Sequence, residues 1–180
     1  MTDVVISSAC RTPIGSFQGA LGALSASELG AVAVREAVKR AGVEPEKVER
    51  AIIGNVLSAG MGQAPARQAV IKSGLPVSVA AITVNKVCGS GRQAVMFARR
   101  EILVGDAQVI VAGGMESMTN SPYVLPQARA GYRMGKGEIL DLMVFDGLTD
   151  PWTGRHMGEV ADASAKSRGI GREEQDAFAR

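Results

Sequence analysis

The first two thirds of the chain alternate short apolar runs with longer amphipathic ones. Four runs rich in Val, Ile and Ala are predicted to be β-strands, and they cover residues 4–8, 51–57, 81–87 and 107–112. Helical patterns separate these runs. Strands that are apolar on both faces and alternate with helices predict a mostly parallel sheet covered by helices on both sides. The fold class indicated is therefore α/β.

Helix start and stop signals divide the same region. Ser25 and Glu28 form a capping box, which predicts a helix that ends at Gly42. Pro65 predicts the first turn of a second helix. A third helix follows the third predicted strand and is nearly apolar all round over residues 94–98. That pattern predicts a helix buried between two layers.

From Thr119 the regular alternation stops, and prolines and glycines become frequent. Helical patterns return at residues 159–167 and 173–180. The second of these runs to the final residue with neither a cap nor a stop signal. We therefore expect the sequence to be a fragment of a longer protein.

Composition narrows the classes of function. The net charge is +2, and no basic block with interleaved aromatics occurs, which argues against nucleic acid as a partner. No apolar stretch approaches the roughly 18 residues of a membrane span. A signal-like segment is also missing, so the cytoplasm is the default location. Two cysteines and one histidine predict neither a disulfide framework nor a metal site.

Cys88 is the candidate nucleophile. It lies between a strand-like run and a helix-like run, where unpaired N–H groups and the peptide dipoles stabilise a thiolate. Gly89 and Gly91 keep the turn free of Cβ atoms, so a bulky thioester can approach. Judged from these residues alone, a cysteine such as Cys88 is more often a buried structural residue, because free cysteine behaves as a small apolar side chain.

The segment around Cys88 resembles the nucleophile motif of thiolases, the coenzyme A acetyltransferases. It reads Asn-Lys-Val-Cys-Gly-Ser-Gly over residues 85–91. Further segments agree with that family in order and spacing, namely Arg-Thr-Pro-Ile-Gly at 11–15, Gly-Gly-Met-Glu-Ser-Met at 113–118, Asp-Gly-Leu at 146–148, His-Met-Gly at 156–158 and Arg-Glu-Glu-Gln-Asp at 172–176.

The resemblance implies a thiolase-like fold of α-β-α layers around a mostly parallel mixed sheet, with a buried helix after the nucleophile. Residues 1–118 correspond to the N-terminal core half, and residues 119–180 to the start of an inserted loop domain. The family's second half carries a Gly-His-Pro histidine, a second catalytic cysteine and an asparagine, none of which has a counterpart here. The complete protein is expected to form a homodimer or homotetramer.

The resemblance also implies the chemistry. Cys88 would become acylated, and the acyl group would pass to a second acetyl-coenzyme A to give acetoacetyl-coenzyme A. In the degradative direction, coenzyme A would cleave a 3-ketoacyl-coenzyme A. Coenzyme A thioesters are substrates, and no cofactor is expected. Leu148, His156 and Met157 would line the pocket for the acyl group and pantetheine arm. Residues 1–180 alone are expected to be inactive in condensation.

Several alternatives remain open. The preferred acyl chain can be longer than acetyl, and the chain can be a non-catalytic assembly subunit of thiolase-like fold. A β-ketoacyl synthase or hydroxymethylglutaryl synthase is a further alternative, although segments 87–91 and 156–158 argue against both. Arg92 departs from the family, which commonly has an apolar residue there. Four positions after Cys88, Arg92 can share a helix face with the thiol and stabilise its thiolate, or it can point outward. We favour the outward position, because burying an unpaired guanidinium is costly.

Overall fold

The computed structural model describes residues 3–180. These residues form two compact units, the first ending at Pro122 and the second spanning Tyr123–Arg180. The first unit contains three helices and three strands of the central sheet, in the order α1 (Ala26–Ala41), β1 (Arg50–Gly54), α2 (Pro65–Ser73), β2 (Ala80–Val84), α3 (Ser90–Val104) and β3 (Ile110–Gly114).

The sheet of the first unit is parallel, with the strand order β2-β1-β3. Its central strand β1 is buried on both faces. Ala51 and Ile53 join a cluster with residues of α1 and α2, whereas Ile52 packs with Ala94 and Ala98 of α3 on the other face. Successive side chains of a strand point to opposite faces, so this alternation produces three layers. The predicted α/β class is confirmed.

Local signals set the helix ends as predicted. The Ser25 Oγ accepts the Glu28 N–H at 3.3 Å, and Glu28 Oε2 accepts the Ser25 N–H at 2.7 Å, which completes the capping box. Gly42 ends α1 in the left-handed conformation, with φ of 65°. Pro65 occupies the first position of α2.

The predicted strand over residues 4–8 is wrong, because this segment is paired with no strand in the structure. A cavity of about 270 Å³ lies between it and β3. The segment is instead tied to α1, where Ser8 Oγ donates to the Ala37 carbonyl at 2.7 Å. Val5 and Ile6 are each 78% exposed. The apolar pattern is present, but a strand also needs a neighbour within ladder hydrogen-bond distance.

Burial of α3 is confined to one face. Ala94 and Ala98 are buried against the sheet, whereas Val95, Met96 and Val104 are exposed. The nearly apolar segment around residues 94–98 therefore lies between the sheet and solvent in the described residues, rather than between two layers.

The second unit is small and rich in loops. Its strands β4 (Tyr123–Val124) and β5 (Leu140–Asp141) form an antiparallel pair. Three helices follow, and the last two agree with the predicted helical patterns: α4 (Leu142–Phe145), α5 (Met157–Ser167) and α6 (Arg172–Ala179). None of the described helices in either unit is long and apolar enough to cross a membrane.

Candidate active site

Cys88 lies in the turn that connects β2 to α3, two residues before the helix begins, and it is exposed. The turn is held from both sides. Asn85 Oδ1 accepts the Val87 N–H at 2.9 Å, and Ser90 Oγ accepts the Lys86 N–H at 2.8 Å. These contacts present the thiol at the N-terminus of a 15-residue helix, where the peptide dipoles favour an anion.

Val87, the residue before Cys88, has a strained backbone. Its φ is +47°, which is the left-handed region that β-branched residues rarely adopt. Such a conformation costs about 1–2 kcal/mol and persists only where surrounding contacts determine it. The hydrogen bond from the Val87 N–H to Asn85 Oδ1 is one such contact. The strain therefore lies directly beside the candidate nucleophile.

Close backbone approach places the start of α3 against the sheet. A Cβ at Gly54, the last residue of β1, would lie 2.7 Å from the Gly91 nitrogen and from the Ser90 carbonyl carbon. Gly114, the last residue of β3, lies opposite Gly54 in the sheet register and also faces Gly91. The missing Cβ of Gly54 therefore lets the helix N-terminus touch the end of β1.

A cavity of about 310 Å³ lies at this junction, and Cys88 is one of its lining residues. Asn55, Val56 and Glu116 contribute to the same wall. Asn55 is 2% exposed, and its Nδ2 donates to Glu116 Oε1 at 2.8 Å and to the Met115 carbonyl at 3.3 Å. The Asn55 Oδ1 is buried and has no hydrogen-bond partner among the described residues.

Glu116 connects the ends of β1 and β3. Its Oε2 accepts the Val56 N–H at 2.8 Å, and its Oε1 accepts the Leu57 N–H at 3.1 Å. Burial raises the pKa of the Glu116 carboxyl above its ordinary value, and the two backbone hydrogen bonds partly oppose that shift. A half-buried carboxylate with three donors is a built feature of the nucleophile's cavity.

Sequence reasoning did not identify Glu116, Asn55 or Gly54 as site residues. Residues 113–118 match the family motif and end the fourth predicted strand, and residues 54–55 lie inside a predicted strand, so neither pattern marks these side chains as part of a site. One signal that could have found them is their place at the carboxyl ends of parallel strands, where sites of α/β proteins gather.

Two cations flank the nucleophile's helix in different ways. The Lys86 Nζ donates to Gln93 Oε1 at 2.9 Å, which ties its side chain along α3. Arg92 is exposed and takes part in none of the salt bridges found among residues 3–180. Its outward position agrees with the expectation that the guanidinium stays in water.

The three predicted pocket residues lie together in the second unit. The Met157 N–H donates to the Leu148 carbonyl at 2.8 Å, and Thr149 forms a bridge with His156. His156 also caps α5, because its Nδ1 accepts the Gly158 N–H at 3.0 Å. In the neutral ring this leaves the proton on Nε2, so His156 can offer an N–H to a ligand. Their binding role stays a prediction.

No group of three or more His, Cys, Asp or Glu side chains within residues 3–180 is arranged to hold a metal ion.

Comparison with known proteins gives a family match over nearly the whole chain. The family model for the thiolase N-terminal domain matches residues 4–180. An acetyl-CoA acetyltransferase of Cupriavidus necator is 55% identical over 179 residues, which is 99% of this chain and 46% of that protein. One from Chromobacterium violaceum is 53% identical over 176 residues, which is 98% of this chain and 45% of that protein.

A eukaryotic relative is also similar. The mitochondrial acetyl-CoA acetyltransferase A of Xenopus laevis is 50% identical over 179 residues, covering 99% of this chain and 42% of that protein. The chain thus spans about half the length of the curated relatives that it matches.

Proposed function

The chain belongs to the thiolase family, and from this premise we propose that it provides the acylated cysteine of an acetyl-coenzyme A acetyltransferase. The observation that carries the proposal is the geometry of Cys88. The thiol is exposed, follows a strained residue and precedes the first turn of α3. A thiol buried in the core of the first unit would have favoured the structural interpretation of this cysteine.

The proposed first step is acyl transfer to Cys88. The thiolate sulfur attacks the thioester carbonyl carbon, a new carbon–sulfur bond forms, and the bond to coenzyme A breaks. One thiolate enters and one leaves, so charge and protons balance. The Cys88 backbone N–H is the proposed donor to the oxyanion, where such a donor typically contributes a factor of about 10²–10³ in rate. No cofactor is required for this exchange.

The proposed second step moves the acyl group to the α-carbon of acetyl-coenzyme A, or to coenzyme A in the degradative direction. Proton abstraction from that α-carbon needs a base within hydrogen-bond reach. The only cysteines of residues 1–180 are Cys10 and Cys88, so these residues do not supply the family's second catalytic cysteine. We expect these residues alone to show essentially no condensation, since losing such a base by itself typically removes about 10²–10⁴-fold in rate.

Leu148, His156 and Met157 are the proposed contacts to the acyl group and the pantetheine arm. Two features support this assignment. Met and Leu adapt to a slender flexible ligand, and the His156 Nδ1 hydrogen bond fixes the orientation of the ring. The preferred acyl-chain length belongs to the same proposal, with acetyl as the proposed substrate and longer 3-ketoacyl chains as the alternative.

Assembly and location complete the proposal. We expect a homodimer or homotetramer in the cytoplasm. The outer edge of β2 supports self-association, because β2 is a terminal strand of its sheet and Ile82 is 45% exposed. An exposed strand edge favours pairing with another chain.

The experiment is labelling with radioactive acetyl-coenzyme A, followed by tryptic digestion. Label is expected on the peptide of residues 87–92, which contains Cys88. The variant Cys88→Ser should lose the label, and the matched variant Cys10→Ser should keep it. Label that persists in Cys88→Ser would refute the proposal. A Cys88 that reacts with iodoacetamide no faster than a free peptide thiol would favour a non-catalytic assembly subunit.

A further inference from the structure

The two carboxylates that tie β1 to β3 lie at opposite ends of these strands. Glu49 precedes β1, and its Oε2 accepts the Gln108 and Val109 N–H groups just before β3. Glu116 follows β3 and accepts the Val56 and Leu57 N–H groups just after β1. Only the second carboxylate lines the cavity that contains Cys88.

A continuous set of hydrogen bonds leads from Glu116 towards the nucleophile. Glu116 Oε2 accepts the Val56 N–H at 2.8 Å, and the Val56 carbonyl accepts Asn85 Nδ2 at the long distance of 3.5 Å. Asn85 Oδ1 then accepts the Val87 N–H at 2.9 Å. The last of these contacts acts on the residue with the strained backbone directly before Cys88.

We propose that Glu116 is a positioning residue for Cys88, acting through Val56 and Asn85 to hold the strained Val87 turn. This inference rests on the proposed role of Cys88 as the nucleophile. The carboxylate is suited to the task because it accepts three hydrogen bonds at once, from Asn55 Nδ2, Val56 N and Leu57 N. These donors fix the loop after β1 to the end of β3.

Burial supports the assignment. Asn55, the residue that links the Glu116 carboxylate to the Met115 carbonyl, is 2% exposed. Its Oδ1 has no partner among residues 3–180. A buried polar group without a partner is costly and requires an explanation. Here the Asn55 Nδ2 donates to Glu116 and to the Met115 carbonyl, and these two hydrogen bonds set the orientation of the amide. In that orientation the Oδ1 atom has no hydrogen-bond partner among the described residues.

The experiment compares Glu116→Gln with a matched control, Glu49→Ala, in the full chain. A glutamine keeps only one acceptor oxygen and adds two donors, so at least one of the three hydrogen bonds must be lost. Glu49→Ala removes a carboxylate of the same kind from the far end of the same strands. The readout is the second-order rate of Cys88 alkylation by iodoacetamide, measured by mass spectrometry of the peptide.

We expect Glu116→Gln to slow alkylation of Cys88 about tenfold, since thiol reactivity depends on the exposure of the sulfur and on its position at the start of α3, where an anion is favoured. Glu49→Ala should change the rate less than about twofold. The variant Glu116→Asp keeps the carboxylate on a shorter stem and should give an intermediate rate. Equal rates in wild type and Glu116→Gln, or an equal loss in Glu49→Ala, would overturn the proposal.

Repeating the Glu116→Gln measurement in a Val87→Asn variant separates positioning of the turn from a general structural effect. Asparagine tolerates the left-handed conformation, so Val87→Asn should relieve the strain that the Glu116 network opposes. In that background Glu116→Gln should slow alkylation less than about twofold, because substitutions within one hydrogen-bond network are non-additive. A tenfold loss in both backgrounds would contradict the proposed route through Val87.

The outcomes also distinguish this inference from the proposed function. If wild-type Cys88 alkylates no faster than a peptide thiol, the nucleophile assignment itself fails. If wild-type Cys88 is fast and takes label from acetyl-coenzyme A, while Glu116→Gln behaves identically, only the positioning role fails.

Discussion

Gly54 provides the sharpest test of how the sheet places the nucleophile. In Gly54→Ala the new methyl group would lie 2.7 Å from Ser90 carbonyl carbon, Ser90 Cβ and the Gly91 nitrogen. Carbon atoms in contact prefer about 3.5–4.0 Å, so the first turn of α3 must move outward by about 1 Å. Backbone atoms cannot yield by changing rotamer. The strain therefore falls on the helix start or on β1.

We expect two consequences of that displacement. Overpacking of a well-packed junction should reduce the free energy of unfolding by about 1–3 kcal/mol. Because Cys88 lies two residues before Ser90, the thiol should also move, and a shift of about 1 Å can cost on the order of 10²-fold in rate. Denaturant unfolding measures the first effect, and the rate of Cys88 acylation by acetyl-coenzyme A measures the second.

Gly91→Ala is the matched control. A Cβ at Gly91 would lie 3.7 Å from Gly113, which is an ordinary contact, and the position is inside α3. Alanine is a better helix former by about 0.5–1 kcal/mol, so this variant should be at least as stable as wild type. The reasoning is refuted if Gly54→Ala unfolds at the wild-type denaturant concentration and is acylated at the wild-type rate.

Three further predictions concern local features. Ser25→Ala should lower the free energy of unfolding by about 1 kcal/mol, because it removes the side-chain cap of α1; an unchanged thermal midpoint would contradict this. Val87→Asn should raise the free energy of unfolding, measured with denaturant, by about 1 kcal/mol, because asparagine tolerates a φ of +47°. A lower free energy of unfolding in this variant would argue against backbone strain at Val87. Hydrogen bonds from Gln108 and Val109 lower the pKa of Glu49, so its stabilisation is present above the ordinary glutamate pKa and is lost as pH falls through the lowered pKa. Wild type and Glu49→Gln should therefore differ in stability near neutral pH and converge in acid, and a constant difference would refute this.

The parts of the fold that were predictable from sequence depend on local contacts. The α1 capping box joins residues three positions apart, and Gly42 ends the helix because of its own backbone preference. The strand β1 is recognisable because a parallel strand buried on both faces is continuously apolar, and β2 and β3 carry the same apolar pattern although they are only partly buried. The two ends of α1 do not depend on which distant segment packs beside the helix.

Failures of prediction follow from non-local pairing. Residues 4–8 have an apolar pattern, but a strand exists only where a neighbour completes the ladder, and sequence does not reveal the neighbour. The contact between Glu116 and Val56 spans 60 positions and depends on β1 and β3 being adjacent. The outer face of α3 is apolar, but its burial depends on what packs against it.

The location of the site follows from the parallel register of the three strands. Gly54, the last residue of β1, lies opposite Val84 of β2 and Gly114 of β3, so all three strands end at one level. The polar residues that follow them are Asn55, Asn85 and Glu116, and they meet at this end of the sheet. Asn55 donates directly to Glu116, whereas Asn85 and Glu116 are joined through Val56. A shift of one residue in either pairing would reverse the faces of the side chains and separate these groups. The alternating burial of β1 side chains on the two faces of the sheet fixes its register with β2 and β3. That register in turn fixes the contacts that hold the turn of Cys88.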